Sequence, residues 1–245
     1  MSRFSAFSIH LGISFLIFLV LAYLVVFQWY PGIFFDNDGG WRGMRIIIAV
    51  DLVLGPLLTL IVFKAGKPGL RTDLTLIGLL QAVCLCAGTW VVYSEKPIAV
   101  VYTEGRFTVM TADDYRADGV AELPDLRHFP GDNPKWVMVN LPESVEEQYN
   151  IRAEVYRSGK TLSSMTELYV PFNTAAPDFF GAAENPAIIT GHQEWQHRLD
   201  NWLQAHGGTY QDYAFFTFAT RYVFGYLIYD RASAEQVGLV TNLDG

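Results

Sequence analysis

The chain has 245 residues, 51% of them hydrophobic, with 17 Lys and Arg against 25 Asp and Glu and a formal net charge of −8. That length holds a small membrane bundle and one further domain of ordinary size. A net acidic chain without clustered Lys and Arg is excluded as a nucleic-acid binder, because phosphate neutralisation needs a basic patch.

Three apolar segments come first, residues 6–27, 46–63 and 74–93, each of roughly 18–22 residues and so about the length of a bilayer core. The acidic, basic or histidine side chains inside them are His10 and Asp51, with Asp73 just outside the third. Up to Tyr93 six bases outweigh four acids, whereas the remainder carries 11 bases and 21 acids. The first segment is read as a retained anchor. Its apolar run exceeds a usual signal h-region, and Phe27-Gln28-Trp29-Tyr30-Pro31 follows as an aromatic interface belt instead of a cleavage site. Three crossings put the chain ends on opposite sides of a membrane. Lys64, Lys67 and Arg71 in the loop between the second and third segments mark the inner side, against Arg42 and Arg45 offset by Asp36 and Asp38 in the other loop. The N-terminus is therefore expected inside and the chain beyond Tyr93 outside.

Asp51 is the most informative single residue. A carboxyl group within a span is costly unless it is paired, neutral, or facing protein or water. Its segment continues through Gly55 and Pro56, which should kink the helix and free a backbone carbonyl. Gln81 in the third span can hydrogen-bond Asp51. Asp51 and Gln81 are thus expected to form an intramembrane polar pair that locks helices, with Gly55 and Pro56 completing the structural site, in preference to a proton relay, which needs several ionisable groups. Cys84 and Cys86, two apart, project about 200° from each other and can neither bridge nor share a metal.

Beyond the spans, residues 97–102 and 106–111 read as a strand hairpin around Glu104-Gly105, followed by a short helix over 112–116. After a Pro-, Gly- and Asp-rich loop, 123–134, residues 135–141 return to strand character and 142–157 to helix. Residues 169–186 are interrupted by Pro171, Pro177 and Pro186 and read as irregular. A helix over 190–206 is predicted with Thr190 as cap, Trp195, Leu199, Trp202 and Leu203 on its inner face and Gly207-Gly208 as stop. Residues 213–219 and 222–229 are aromatic-rich strands. Their Phe215, Phe216, Phe218, Tyr222 and Phe224 are candidates either for a partner-binding face or for a hairpin buried on both sides.

No familiar catalytic pattern accompanies these elements. His192 and His197 are five apart, about 140° round a helix, where a metalloprotease helix needs a spacing of four. Ser163-Ser164 lacks a nucleophile-elbow context, and the adjacent acids Asp113-Asp114 and Glu146-Glu147 diverge on a helix. An enzyme is not expected, nor a cofactor or metal.

The Asp51-to-Phe63 stretch D-L-V-L-G-P-L-L-T-L-I-V-F, the Lys67-to-Asp73 loop, Gln81, and the hairpin with Arg106-Phe107 together resemble the TfpX/TfpZ family of type IV pilin accessory proteins. The resemblance implies an inner-membrane protein of Gram-negative bacteria, multi-pass, with a cytoplasmic N-terminus and a periplasmic C-terminal domain. It further implies a cognate type IV pilin as partner beside the lipid bilayer, with other pilus assembly components as further candidates. Such pilins carry a hydrophobic N-terminal helix and an outer globular head, which a bundle with a tethered outer domain can touch together.

The expected fold is therefore a three-span α-helical bundle over 1–93 followed by a soluble, extracytoplasmic α+β domain over 94–245. The expected function is that of a non-enzymatic accessory factor or chaperone for pilin assembly. Two alternatives are a membrane sensor with an outer ligand-binding domain and a membrane-bound pilin-modifying enzyme. The first lacks an inner output module in the sequence, and the second lacks convergent acids or a metal set.

Overall fold

Apolar length and breaker-rich loops produce three long helices, and alternation produces a sheet. A computed structural model describes residues 2–243, and the chain divides between Lys96 and Pro97 into two compact units.

In the first unit, span 1 is Arg3–Trp29, built from α1 (Arg3–Tyr23) and a π-helical segment, Leu24–Trp29. A short α2 (Ile33–Asn37) follows. Span 2, Gly40–Val62, joins α3 (Gly40–Ile47), a second π-helical segment (Ile48–Leu54) and α4 (Gly55–Val62). Span 3 is α5 (Leu70–Ser94). Each helix begins before its apolar stretch, because backbone hydrogen bonding continues into polar sequence once a helix is nucleated. Gly66 and Gly69, both at positive φ, turn the chain between spans 2 and 3, as a tight antiparallel connection requires. Span 2 is the most enclosed of the three, with 28% of its most apolar window buried against 11% and 6% for spans 1 and 3. It is the central helix of the bundle.

The second unit is a mixed seven-stranded sheet of order β4-β3-β1-β2-β5-β6-β7. The strands are β1 (Pro97–Thr103), β2 (Arg106–Thr111), β3 (Lys135–Val139), β4 (Tyr169–Pro171), β5 (Tyr213–Ala219), β6 (Phe224–Asp230) and β7 (Gln236–Thr241). The β1–β2 hairpin turns on Glu104 and Gly105, both at positive φ, the pattern that suits the right-handed strand twist. Parallel pairing of β1 with β3 and of β2 with β5 joins antiparallel pairs on either side. Four helices accompany the sheet: α6 (Ala112–Ala117), α7 (Val145–Ser158), α8 (Pro186–Thr190) and α9 (Gln193–His206).

One face of the sheet carries an aromatic core. Phe216 stacks on Phe179 at 4.4 Å between ring centroids, and Tyr102, Phe107, Phe172 and Tyr229 surround them. The other face has two separate cores. Ala99, Val101, Met110 and Val137 pack with Tyr115, Leu126 and Phe129, while Phe215, Ile228 and Val240 pack with Ile189 and Leu199 of α8 and α9.

The three-span bundle followed by an α+β domain is the architecture the sequence leads to, with local differences. Residues 169–171, read as irregular, form edge strand β4 against β3; a sheet edge tolerates Pro171 because its outer side needs no donor. The helix expected from 142 begins at Val145, with Ser144 accepting from Glu147 N at 3.4 Å. The single helix expected over 190–206 is two, and Thr190 does not cap the second; its hydroxyl donates to Pro186 O within α8. The strand expected from 222 starts at Phe224, because Thr220 Oγ1 accepts from the amides of Tyr222 and Val223 at 3.0 Å and holds them in a turn. Strand β7 has no counterpart in the sequence reading.

Candidate functional site

Five polar side chains from all three spans meet inside the membrane unit. Span 1 supplies His10 and Ser14, four apart and so on one helix face. Span 2 supplies Asp51, fully buried within its π-helical segment, and Thr59 one turn beyond Pro56. Span 3 supplies Gln81. The wider π-helical turn is a recurrent feature of functional helices, and here it carries the one acid.

Gln81 is the hub. Its amide nitrogen donates to Asp51 Oδ1, to Ser14 Oγ at 3.1 Å and to the Asp51 carbonyl at 3.3 Å. Its oxygen lies 2.8 Å from His10 Nε2. That oxygen carries no hydrogen, so Nε2 is the donor. His10 Nδ1 reaches Thr59 Oγ1 at 2.6 Å, Thr59 also lies within reach of the Gly55 carbonyl at 3.2 Å, and Ser14 donates to Asp51 Oδ1 at 3.0 Å. Asp51 Oδ2 has no partner among the described residues. A polar knot of this kind ties three helices at one level, each bond contributing about 1 kcal/mol or less in a bundle.

Gly55 and Pro56 complete the site in a different way. Both are buried, and a Cβ on Gly55 would overlap the Gln81 carboxamide. Pro56 opens α4 inside the continuous helix of span 2 and brings no N–H to the turn before it, and the Asp51 carbonyl five residues back accepts from Gln81 Nε2 instead. Asp51, Gly55, Pro56 and Gln81 therefore occupy one place. His10, Ser14 and Thr59 join them, and the sequence reading did not assign these three to the site. The available signal was the His10–Ser14 spacing of four.

The aromatic candidates are placed differently. Phe215, Phe216 and Phe218 are fully buried, because β5 is an interior strand covered on both faces, so these three form core and not surface. Tyr222 is half-buried in the turn before β6. Phe224 is 38% exposed and lies 5.8 Å from the Trp195 ring, and it is the member that reaches the surface. His192 ends at the N-cap of α9, while His197 Nδ1 meets Asn201 at 3.3 Å.

A buried tyrosine pair braces the first core: the hydroxyls of Tyr115 and Tyr169 are 2.9 Å apart, and Tyr169 donates to the Ser163 carbonyl. Burial is the main reason that Tyr115 is pushed up to about 12 and that Tyr169 is raised as well.

Three fimbrial assembly proteins of Dichelobacter nodosus are similar in sequence. Those of serogroup E1 and serogroup I are each 31% identical over 125 residues, which is 50% of this chain and 49% of theirs. That of serogroups C1 and C2 is 30% identical over 118 residues, 47% of this chain and 88% of its own length. The chain thus spans about half the length of the first two relatives. No family model matches the chain, and no solved structure matches it.

Proposed function

The chain belongs to the fimbrial assembly family, and on that premise we propose that it is a membrane accessory factor for a cognate type IV pilin, of the TfpX/TfpZ kind. The observation that carries this reading is the combination of that kinship with three apolar spans tied by one polar knot and a separately folded sheet unit. The proposed place is the bacterial inner membrane, with the N-terminus cytoplasmic and the sheet unit periplasmic. The bundle would hold the apolar helix of the pilin before assembly while the outer unit meets its head. Two weak contacts on one tethered molecule gain from effective concentration. The proposed role is non-enzymatic, a chaperone or stabilising partner.

Deletion of the gene tests the reading directly: pilin on the cell surface should fall, and the tagged full chain in mild detergent should co-purify with its pilin. Unchanged surface pilin together with no recovered pilin would overturn it.

A further inference from the structure

The face of the sheet that carries two cores has an unfilled middle. Between α6 on one side and the β5–β6 connection on the other lies a cleft of about 510 Å³, within the range of small-ligand sites. It opens where two strands part: β2 pairs with β5 only as far as Thr108 and Ala219, yet β2 runs on to Thr111. Positions that would be apolar in a continuous core are instead Thr103, Arg106 and Thr108, with Thr161 and Ser163 opposite. Thr103 and Ser163 hydroxyls are 3.3 Å apart.

Charge makes the cleft specific. Of its two acids, Asp114 Oδ2 accepts from the Thr111 amide and hydroxyl at 2.8 and 2.7 Å. Asp118 Oδ2 accepts from the Thr161 amide and hydroxyl at 3.0 and 2.6 Å. Arg221 donates to Thr111 Oγ1 at 3.3 Å. Glu104, two residues from Arg106, is taken by a two-pronged contact from Arg152. The Arg106 guanidinium alone has no hydrogen-bond or ion-pair partner among the described residues. In a unit with twice as many acids as bases, this exposed and unpaired guanidinium lines the same cleft as the hydroxyls of Thr103, Thr108 and Ser163 and is free to take an acceptor.

We propose that this cleft binds a carboxylate presented by a polypeptide partner, with Arg106 as the bidentate anchor and the Thr103 and Thr108 hydroxyls as flanking donors. Guanidinium and carboxylate match in plane and spacing. A dianionic phosphate fits less well, because Arg106 and Arg221 are balanced by Asp114 and Asp118 in the lining, and a monoanion adds one negative charge where phosphate adds two. The choice of a polypeptide as bearer rests on the assembly role proposed above; the carboxylate chemistry does not.

The test uses the full chain in phosphatidylcholine nanodiscs with five probes: Ac-Ala-Glu-Ala-NH2, its Gln counterpart, Ac-Ala-Ala-Ala with a free C-terminus and propionate, each read by saturation-transfer NMR, and inorganic phosphate, read by its competition with the tightest of them. At least one carboxylate peptide should bind, the comparison telling side chain from terminus, and the Gln peptide should bind at least about tenfold more weakly. Arg106→Gln should weaken peptide binding at least about tenfold and Arg106→Lys by less, since an ammonium keeps the charge but loses the fork. Arg157→Gln, on exposed α7, should change nothing, and thermal melts check that each variant is folded. Four results would overturn the proposal: no peptide binding up to roughly 10 mM, a Gln peptide that binds as tightly as the better carboxylate peptide, phosphate binding tighter than either acid peptide, or indifference to Arg106→Gln. Propionate binding as tight as the peptides would remove the polypeptide. Pilus formation is not read here, so failure of the cleft leaves the assembly role standing, and a deletion without a pilus defect leaves the cleft.

Discussion

A Cβ atom built on Gly55 would overlap the carboxamide of Gln81. The missing side chain on span 2 is what admits the hub of the polar knot from span 3, so a backbone choice in one helix sets the hydrogen bonding of another. Gly55→Ala should displace Gln81 and loosen its bonds to His10, Ser14 and Asp51 together. The cost should be about 1–3 kcal/mol, the range for buried polar groups left unpaired. Combined with Gln81→Ala the loss should be less than additive, as for residues acting through one contact. Unfolding in detergent of the two single variants and the double variant measures this; strict additivity would show that the two residues act separately.

Asp51 offers a second check on the same site. Its Oδ1 accepts from Ser14 and Gln81, while Oδ2 has no described partner. Asp51→Asn can keep the two accepted bonds and should retain folded protein and pilus assembly. Asp51→Leu removes the acceptor, strands Gln81 and Ser14, and should cost roughly 1–3 kcal/mol of bundle stability. An Asp51→Asn protein that accumulates normally but fails in assembly would argue for a required charge in place of a structural bond.

Topology follows from the basic loop. The proposed orientation puts Lys64, Lys67 and Arg71 inside, so a phosphatase fused after Gly245 should be active and one near Gly66 inactive. The reverse pattern would invert the orientation and remove the periplasmic site of action from the proposal.

Alkaline pH should weaken the sheet unit through its buried phenols. Tyr115 is pushed up to about 12 from an ordinary value of 10.0, chiefly by burial, and Tyr102, Tyr169 and Tyr229 move in the same direction for the same reason. A group whose folded pKa is raised contributes stability that is whole below its unfolded pKa and lost as pH rises through the folded one. Denaturation midpoints of the full chain should therefore hold flat to about pH 9.5 and fall between about pH 10 and 12. Tyr169→Phe, which leaves Tyr115 and the Ser163 carbonyl without their bond, should lower stability at pH 7 by about 1–3 kcal/mol and make the alkaline fall shallower. An unchanged alkaline slope in that variant would assign the fall to other groups.

The two-contact proposal has its own consequence. The chain divides at Lys96 and Pro97, and the sheet unit carries its own cores on both sheet faces, so residues 94–245 should fold as a soluble fragment. Freed from the bundle, the fragment should bind the pilin head on the order of tens of micromolar or weaker and fail to restore pili. An unrelated single-span anchor should restore them in part. Full rescue by the free fragment would reduce the bundle to an anchor.

Local physics is legible in this sequence. The three spans follow from apolar length, the hairpin Pro97–Thr103 with Arg106–Thr111 from alternation about Glu104-Gly105, and the end of α9 from Gly207-Gly208. What the sequence leaves open is everything set by pairing across distance. His10 meets Gln81 across 71 residues and Thr59 across 49, and such contacts depend on how three helices rotate about their axes and on the π-helical turn around Asp51, which no residue pattern announces. The aromatic hairpin is another case. Phe215, Phe216 and Phe218 suit a surface or a core equally, and they become core only because strand order places β5 in the middle of a sheet covered on both sides. Arg106 reads alone as one more surface base, and it gains a site only where β2 and β5 part. Apolar length and alternation act between neighbours in the chain and are written there, whereas burial of a side chain and the partners of a polar group belong to the assembled fold.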